Sequence, residues 1–233
     1  MKRNQGFTLV EIAIVLVIIG LLLGGILKGQ EMITQAKIKN VISDFSGISA
    51  AYHGYVDRYK RIPGDDPCAG TTNSAISAST CGTTTGRWTG ASHGDGNGVV
   101  AGKYNLTGTS TAESRQWWDH LRRAGFVSGV GDNQPFNALS GMIGVETGDG
   151  AATPAAALKD ASGNGFVGVI VCSSNLPDKI AIAADTQMDD GVINTGTVRG
   201  QTQTGTNPDI IATAPTTNYQ ETGTNIYTIC RSL

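Results

Sequence analysis

The sequence predicts an α+β protein, in which a long N-terminal helix, apolar in its first half and amphipathic in its second, packs on an antiparallel β-sheet head with long Gly/Thr-rich loops. Three observations predict this. An unbroken apolar run follows a short basic start, and apolar residues then recur every three or four positions as far as Tyr59. Val/Ile-rich segments bounded by turn residues appear in the C-terminal half.

The totals limit what the chain can be. Its 233 residues hold one medium domain and an appendage, with no room for a large catalytic domain. Charged residues are 15% of the chain and glycines number 32, a composition that suits long polar loops. A net charge of −2 supplies no global basic field, so nucleic acid is not indicated as a partner.

Lys2 and Arg3 precede the apolar stretch from Phe7 to Leu27. As a helix this stretch is about 31 Å long at roughly 1.5 Å per residue, which matches a hydrocarbon core of about 30 Å. The flanking positive charges place the N-terminus in the cytoplasm and the chain beyond Lys28 outside. A secretory leader would carry small residues at a cleavage site after the apolar run, but Lys28-Gly29-Gln30-Glu31 follows instead. Glu11 stands in the apolar helix near its cytoplasmic end. A charge at membrane depth costs about 2.5–3.5 kcal/mol and therefore normally has a partner.

Beyond Leu27 the pattern becomes amphipathic. Ile38, Val41, Ile42, Phe45, Ile48, Tyr52, Tyr55 and Tyr59 form one stripe, with Lys37, Lys39, Asp44 and Arg58 on the other side. Tyrosines at this spacing read as core rather than as an electron path. Pro63 predicts a stop at Ile62, giving a rod of roughly 80 Å. Gly20, Gly24, Gly25 and Gly29 each weaken helix propensity by about 1 kcal/mol and permit close helix approach or local melting. Residues 64–109 read as a long surface connection. A capping box at Ser110-Thr111-Ala112-Glu113 predicts a second helix carrying Trp117, Trp118, Leu121 and Ala124, closed by Gly125. Strands are predicted at Gly165–Cys172, Lys179–Ala184 and Ile226–Cys230.

Four cysteines lie beyond the apolar segment, without a CxxC pair or a histidine at zinc-ligand spacing. In an exported region they read as two disulfides. Of the three connectivities, Cys68–Cys81 and Cys172–Cys230 are favoured: the first staples a loop, and the second ties two strand-like segments. No cofactor is expected apart from calcium. The segment from His93 to Gly98 resembles the start of an EF-hand loop, which makes Asp95 and Asn97 candidates, although Tyr104 occupies the position of the bidentate glutamate. Asp185, Asp189 and Asp190 form a second acidic group, and turn chemistry accounts for both groups equally well. His53, His93 and His120 lack a nucleophile partner and no phosphate-binding loop is present, so the chain reads as a non-enzyme.

Gly6-Phe7-Thr8-Leu9-Val10-Glu11 resembles the prepilin peptidase motif of type IV pilins and type II secretion pseudopilins. The resemblance implies a leader of residues 1–6, removed by a membrane aspartic protease that cuts between Gly6 and Phe7 and then N-methylates Phe7. It implies a transmembrane and assembly helix over 7–28, its amphipathic continuation over 29–62, and a pilin-fold head over 63–233. Glu11 matches the glutamate whose carboxylate pairs with the new ammonium of a neighbouring subunit. The proline that many type IV pilins carry at the end of the apolar stretch is missing here. The implied role is a structural subunit of a type IV pilus or pilus-like filament. Before assembly it would cross the bacterial inner membrane once, and afterwards it would lie in a periplasmic or cell-surface fibre. Its partners would be copies of itself, related minor pilins, the prepilin peptidase and the inner-membrane assembly platform. The alternatives are a secretion pseudopilin, part of a periplasmic piston, and a signal-anchored periplasmic binding module that never polymerises.

Overall fold

The computed structural model describes residues 8–70, 81, 86–108, 111–148 and 158–233. The chain divides into two units, residues 1–37 and 38–233, and helix α1 (Leu9–Tyr59) begins in the first and ends in the second.

In the first unit the large apolar side chains from Leu9 to Ile33 are all exposed. The helix is long and apolar enough to cross a membrane. After the apolar run, Lys28 and Glu31 form an exposed ion pair at 2.7 Å.

In the second unit α1 buries Ile38, Val41, Phe45, Ile48, Ala51 and Tyr55, the spacing of a single helical stripe. Ile42, Tyr52 and Tyr59 pack along its margins, so the tyrosines do face a core. The helix ends at Tyr59, slightly before the expected stop. Lys60 turns left-handed at φ 56° while its N–H still bonds Val56 O at 2.8 Å.

The head is a four-stranded antiparallel sheet of β1 (Ile143–Thr147), β2 (Val169–Pro177), β3 (Val198–Thr202) and β4 (Ile226–Ser232), in the order β1-β2-β4-β3. One face, with Val145, Val171, Val198 and Ile229, packs with the α1 stripe and with Trp117, Trp118 and Leu121 of α2 (Glu113–Arg123). The opposite face is buried as well. Ile170, Cys172 and Cys230 there form a second, smaller core with Tyr104, Leu158 and Phe166. Burial on both faces explains why Val169-Ile170-Val171-Cys172 is an apolar run without alternation.

Three expectations are corrected. Lys179–Ala184 is not a strand but part of helix α3 (Asp178–Met188). Ile180 and Ile182 alternate as in a strand, yet the segment is rich in the strong helix former alanine and starts behind Pro177 with an acidic first turn. Ile180, Ala181 and Ala184 then face the core at helical spacing. Second, α2 starts at Glu113 and not directly behind Ser110, which lies outside the described residues. Ala112 is the N-cap without a side-chain cap bond, and the Glu113 carboxylate accepts the N–H groups of Asp95 and Ala101. Third, the 64–109 stretch is not confined to the surface: residues 63–70 form a buried run, and Val100 and Tyr104 are fully buried.

Strands β1 and β3 were not anticipated, because each is short and carries an internal glycine. Gly144 is there for space, since a Cβ would lie 2.0 Å from Tyr104 O. Gly144→Ala is therefore expected to destabilise the head by about 1–3 kcal/mol, the usual cost of overpacking. Thermal unfolding of the full-length protein in detergent checks this, and an unchanged Tm would show that the Tyr104 segment yields freely.

Candidate functional site

The sequence places its most specific chemistry at the start of α1. Gly6 and Phe7 lie outside the described residues; Thr8 and Glu11 lie within them. The Thr8 N–H and hydroxyl both donate to Glu11 Oε2, at 2.8 and 2.6 Å, and the Glu11 N–H donates back to Thr8 Oγ1 at 3.3 Å. This is a reciprocal capping box, which satisfies backbone donors that a helix start leaves open. It also holds a carboxylate at the positive end of the helix dipole. An ionised carboxylate has acceptor sites beyond these two donors, so Glu11 can cap its own helix and still receive an external cation.

Both cysteine pairs are bonded. Cys68 joins Cys81, thirteen residues on, and Cys172 joins Cys230 across a separation of 58. Cys172 and Cys230 stand directly opposite each other on β2 and β4, inside the second core.

Residues 1–27 match the family model described as the prokaryotic N-terminal methylation motif. The chain carries a prepilin-type N-terminus. Such a motif marks pilin-like and pseudopilin proteins, and the long apolar helix with a four-stranded antiparallel sheet is a pilin-like α+β architecture. No curated protein and no solved structure matches the chain.

In the head of this prepilin-type chain, two acidic groups come together. Carboxylate oxygens of Asp65, Asp95 and Glu113 lie within 4.8 Å of one another. Asp65 accepts the N–H groups of Gly96, Asn97 and Gly98 at 2.7, 3.0 and 2.8 Å. Glu113 accepts those of Asp95 and Ala101 at 2.9 and 2.8 Å. Burial raises the pKa of both Asp65 and Glu113. Asn97 lies outside this trio and donates its N–H groups to Asp65 and Asp95. Asp65 was missed by sequence reasoning, because its partners lie some thirty residues away along the chain and no local pattern links them.

The second group joins Asp185, Asp189 and Asp190 within the same 4.8 Å limit. Asp185 accepts the Tyr219 hydroxyl at 2.7 Å and the Gly191 N–H at 3.1 Å, and burial pushes its pKa up to about 6. Asp189 accepts the Val198 N–H at 2.8 Å, while Asp190 accepts the Val192 N–H at 2.9 Å and the Thr195 hydroxyl. Either group can offer oxygens to a hard cation such as calcium. Within the chain itself, the same oxygens close turns by accepting N–H and O–H donors.

Two further buried polar groups are structural. His120 accepts the Gly64 N–H at Nδ1 and contacts Ser92 O through Nε2, both at 2.9 Å, and its burial lowers its pKa. With Nδ1 an acceptor, the proton sits on Nε2, and the ring stitches two loop segments to α2. Asp66, fully buried, accepts the Tyr55 hydroxyl at 2.6 Å and the Arg87 guanidinium at 2.5 Å on one oxygen, and the Cys68 N–H at 2.8 Å on the other. Arg87 also stacks over Tyr59, 4.3 Å from the ring centre.

Proposed function

We propose that this chain is a structural subunit of a type IV pilus or pilus-like filament. It is inserted in the inner membrane with its N-terminus in the cytoplasm, cleaved after Gly6, N-methylated at Phe7, and polymerised through α1. The observation that carries this reading is the pairing of an exposed apolar helix, Leu9 to Ile33, with one carboxylate in its first turn, Glu11. Exposed apolar surface of that extent needs lipid or other helices around it. Cleavage would add an ammonium at Phe7, and in an apolar bundle that charge and the Glu11 carboxylate of a neighbouring copy each supply what the other lacks. The role is structural rather than catalytic, in line with the pilin-type motif.

The test is to follow processing and assembly together in cells that contain a prepilin peptidase. Mass spectrometry of sheared surface fibres is expected to find this chain beginning at a methylated Phe7. Gly6→Val is expected to leave the leader attached and to remove the chain from the fibres. Fibres that contain the unprocessed chain, or an unaffected Gly6→Val variant, would overturn the proposal. A processed chain that is missing from surface fibres yet required to export a folded protein would favour the pseudopilin role instead.

A further inference from the structure

The second core contains a titratable group that neither processing nor assembly uses. Glu146 lies in β1 opposite Ile170 of β2, on the sheet face that carries the Cys172–Cys230 disulfide, and is only 6% exposed. Its carboxyl accepts the Tyr104 N–H at 3.0 Å. From that seat the chain around Tyr104 reaches outward to a second loop. The Tyr104 hydroxyl donates to Pro208 O at 2.8 Å, Lys103 pairs with Asp209, and Asn105 donates to Asn207 O and Asp209 Oδ1, both at 2.9 Å. Gln134 holds the Tyr104 carbonyl from the other side at 3.1 Å.

We propose that Glu146 is a pH-sensitive latch: protonated, it seats the 103–106 segment and the 207–211 loop over the Cys172–Cys230 disulfide, and ionised, it loosens both.

The charges around it explain the direction. Lys103 of the 103–106 segment and Asp209 of the 207–211 loop, paired with each other, are the charged groups whose fields act on it. The strands β2 and β4 present Ile170, Cys172, Cys230 and Ser232 along this face. Further along lies Arg199 of β3, engaged with Asp160 at 3.9 Å and with Phe166. With Glu146 neutral, Lys103 and Asp209 balance each other. Ionisation places a second carboxylate near Asp209, and the two then compete for Lys103 in a largely apolar setting. Asp209 also anchors Asn105, so weakening its ion pair weakens the whole clasp.

Burial raises the Glu146 pKa to about 7, against the lowering effect of the Tyr104 N–H; Asp209 raises it further and Lys103 lowers it. The folded value thus lies above the ordinary carboxyl value, so the stabilisation is complete below that ordinary value, falls as pH rises towards about 7, and is gone above it. The latch is closed in acid and looser in base.

Hydrogen exchange of the full-length protein in detergent, corrected for intrinsic rates, tests this in steps from about pH 5, near the ordinary carboxyl value, to about pH 8, above the raised one. In peptides covering 100–108 and 204–211, the open population should rise by up to about tenfold per pH unit between the ordinary carboxyl value and about 7, the limit for one coupled proton, and level off above it. Peptides from 38–59 should not follow, and Glu146→Gln should abolish the rise. A flat wild-type profile, or the same slope in Glu146→Gln, would overturn the proposal. A second readout needs no variant: reduction of Cys172–Cys230 by a phosphine should accelerate over the same pH range, with Cys68–Cys81 as the internal control. Equal pH profiles for the two disulfides would also overturn it.

Discussion

Glu11→Gln is expected to leave α1 capped and the head folded, yet to abolish filament assembly. Glutamine serves at the third helical position of a capping box much as glutamate does, so the reciprocal bonds with Thr8 survive the change. What disappears is the negative charge. If that charge meets a neighbour's Phe7 ammonium in an apolar bundle, its removal strands the ammonium at a cost of about 3–5 kcal/mol. Even about 3 kcal/mol per contact lowers an association constant by roughly a hundredfold. Glu11→Ala is a less clean variant, because it also removes the glutamate's half of the box, which satisfies the Thr8 N–H. Counting fibres by electron microscopy, with the processed N-terminus verified by mass spectrometry, decides the matter. Normal fibres built from processed Glu11→Gln chains would mean that the cap, not the charge, is the reason for the glutamate.

Asp66→Ala is expected to cost the head about 3 kcal/mol or more, while Asp66→Asn should cost distinctly less. Alanine strands the Tyr55 hydroxyl, the Cys68 N–H and the Arg87 guanidinium together, next to a fully buried position. Breaking a buried pair by removing one partner typically costs about 3–5 kcal/mol. The lower end applies here, since the Arg87 side chain is 27% exposed and water can partly replace its partner. Asparagine keeps one acceptor oxygen, for the Cys68 N–H, and turns its amide NH2 towards the Tyr55 hydroxyl, which can rotate to accept. It loses the charge and the Arg87 bond but leaves fewer groups stranded. Denaturant unfolding of the full-length variants in detergent separates the two. Equal losses would show that the charge carries the whole effect, and no loss in either would show that the network merely fills space.

The most legible parts of the sequence were those governed by local chemistry. Glu11 and the apolar run declare themselves within a few residues, because membrane depth leaves few ways to satisfy a carboxylate. The α1 stripe was legible for a similar reason, as a single periodicity runs unbroken from Ile38 to Tyr59. The head was harder, because its determinants are distant pairings. Asp65 is explained only by Gly96, Asn97 and Gly98, and Gly144 only by Tyr104. Glu113 followed the pattern of a cap, and its bonds to the 95–101 loop come from donors twelve and eighteen residues away that no local pattern links to it. Lys179–Ala184 failed differently: two isoleucines in alternation outweighed the helix preference of the alanines around them. The calcium candidates came from spacing alone, and spacing cannot say which backbone donors will reach the same oxygens.

The strand order has a consequence for when the head can form. β4 is the last of the described strands, yet it lies between β2 and β3, and among the described residues β3 pairs with no other strand. As the chain emerges from its N-terminal end, α1 and the β1–β2 hairpin can organise early, but β3 must wait for residues 226–232. The Cys172–Cys230 bond closes at the same stage, over its separation of 58 residues. A loop of that length is slow to close, and only its closure unites the sheet. Completion of the head is thus a late checkpoint: until β4 arrives, the chain has its long N-terminal helix but no finished sheet beyond it.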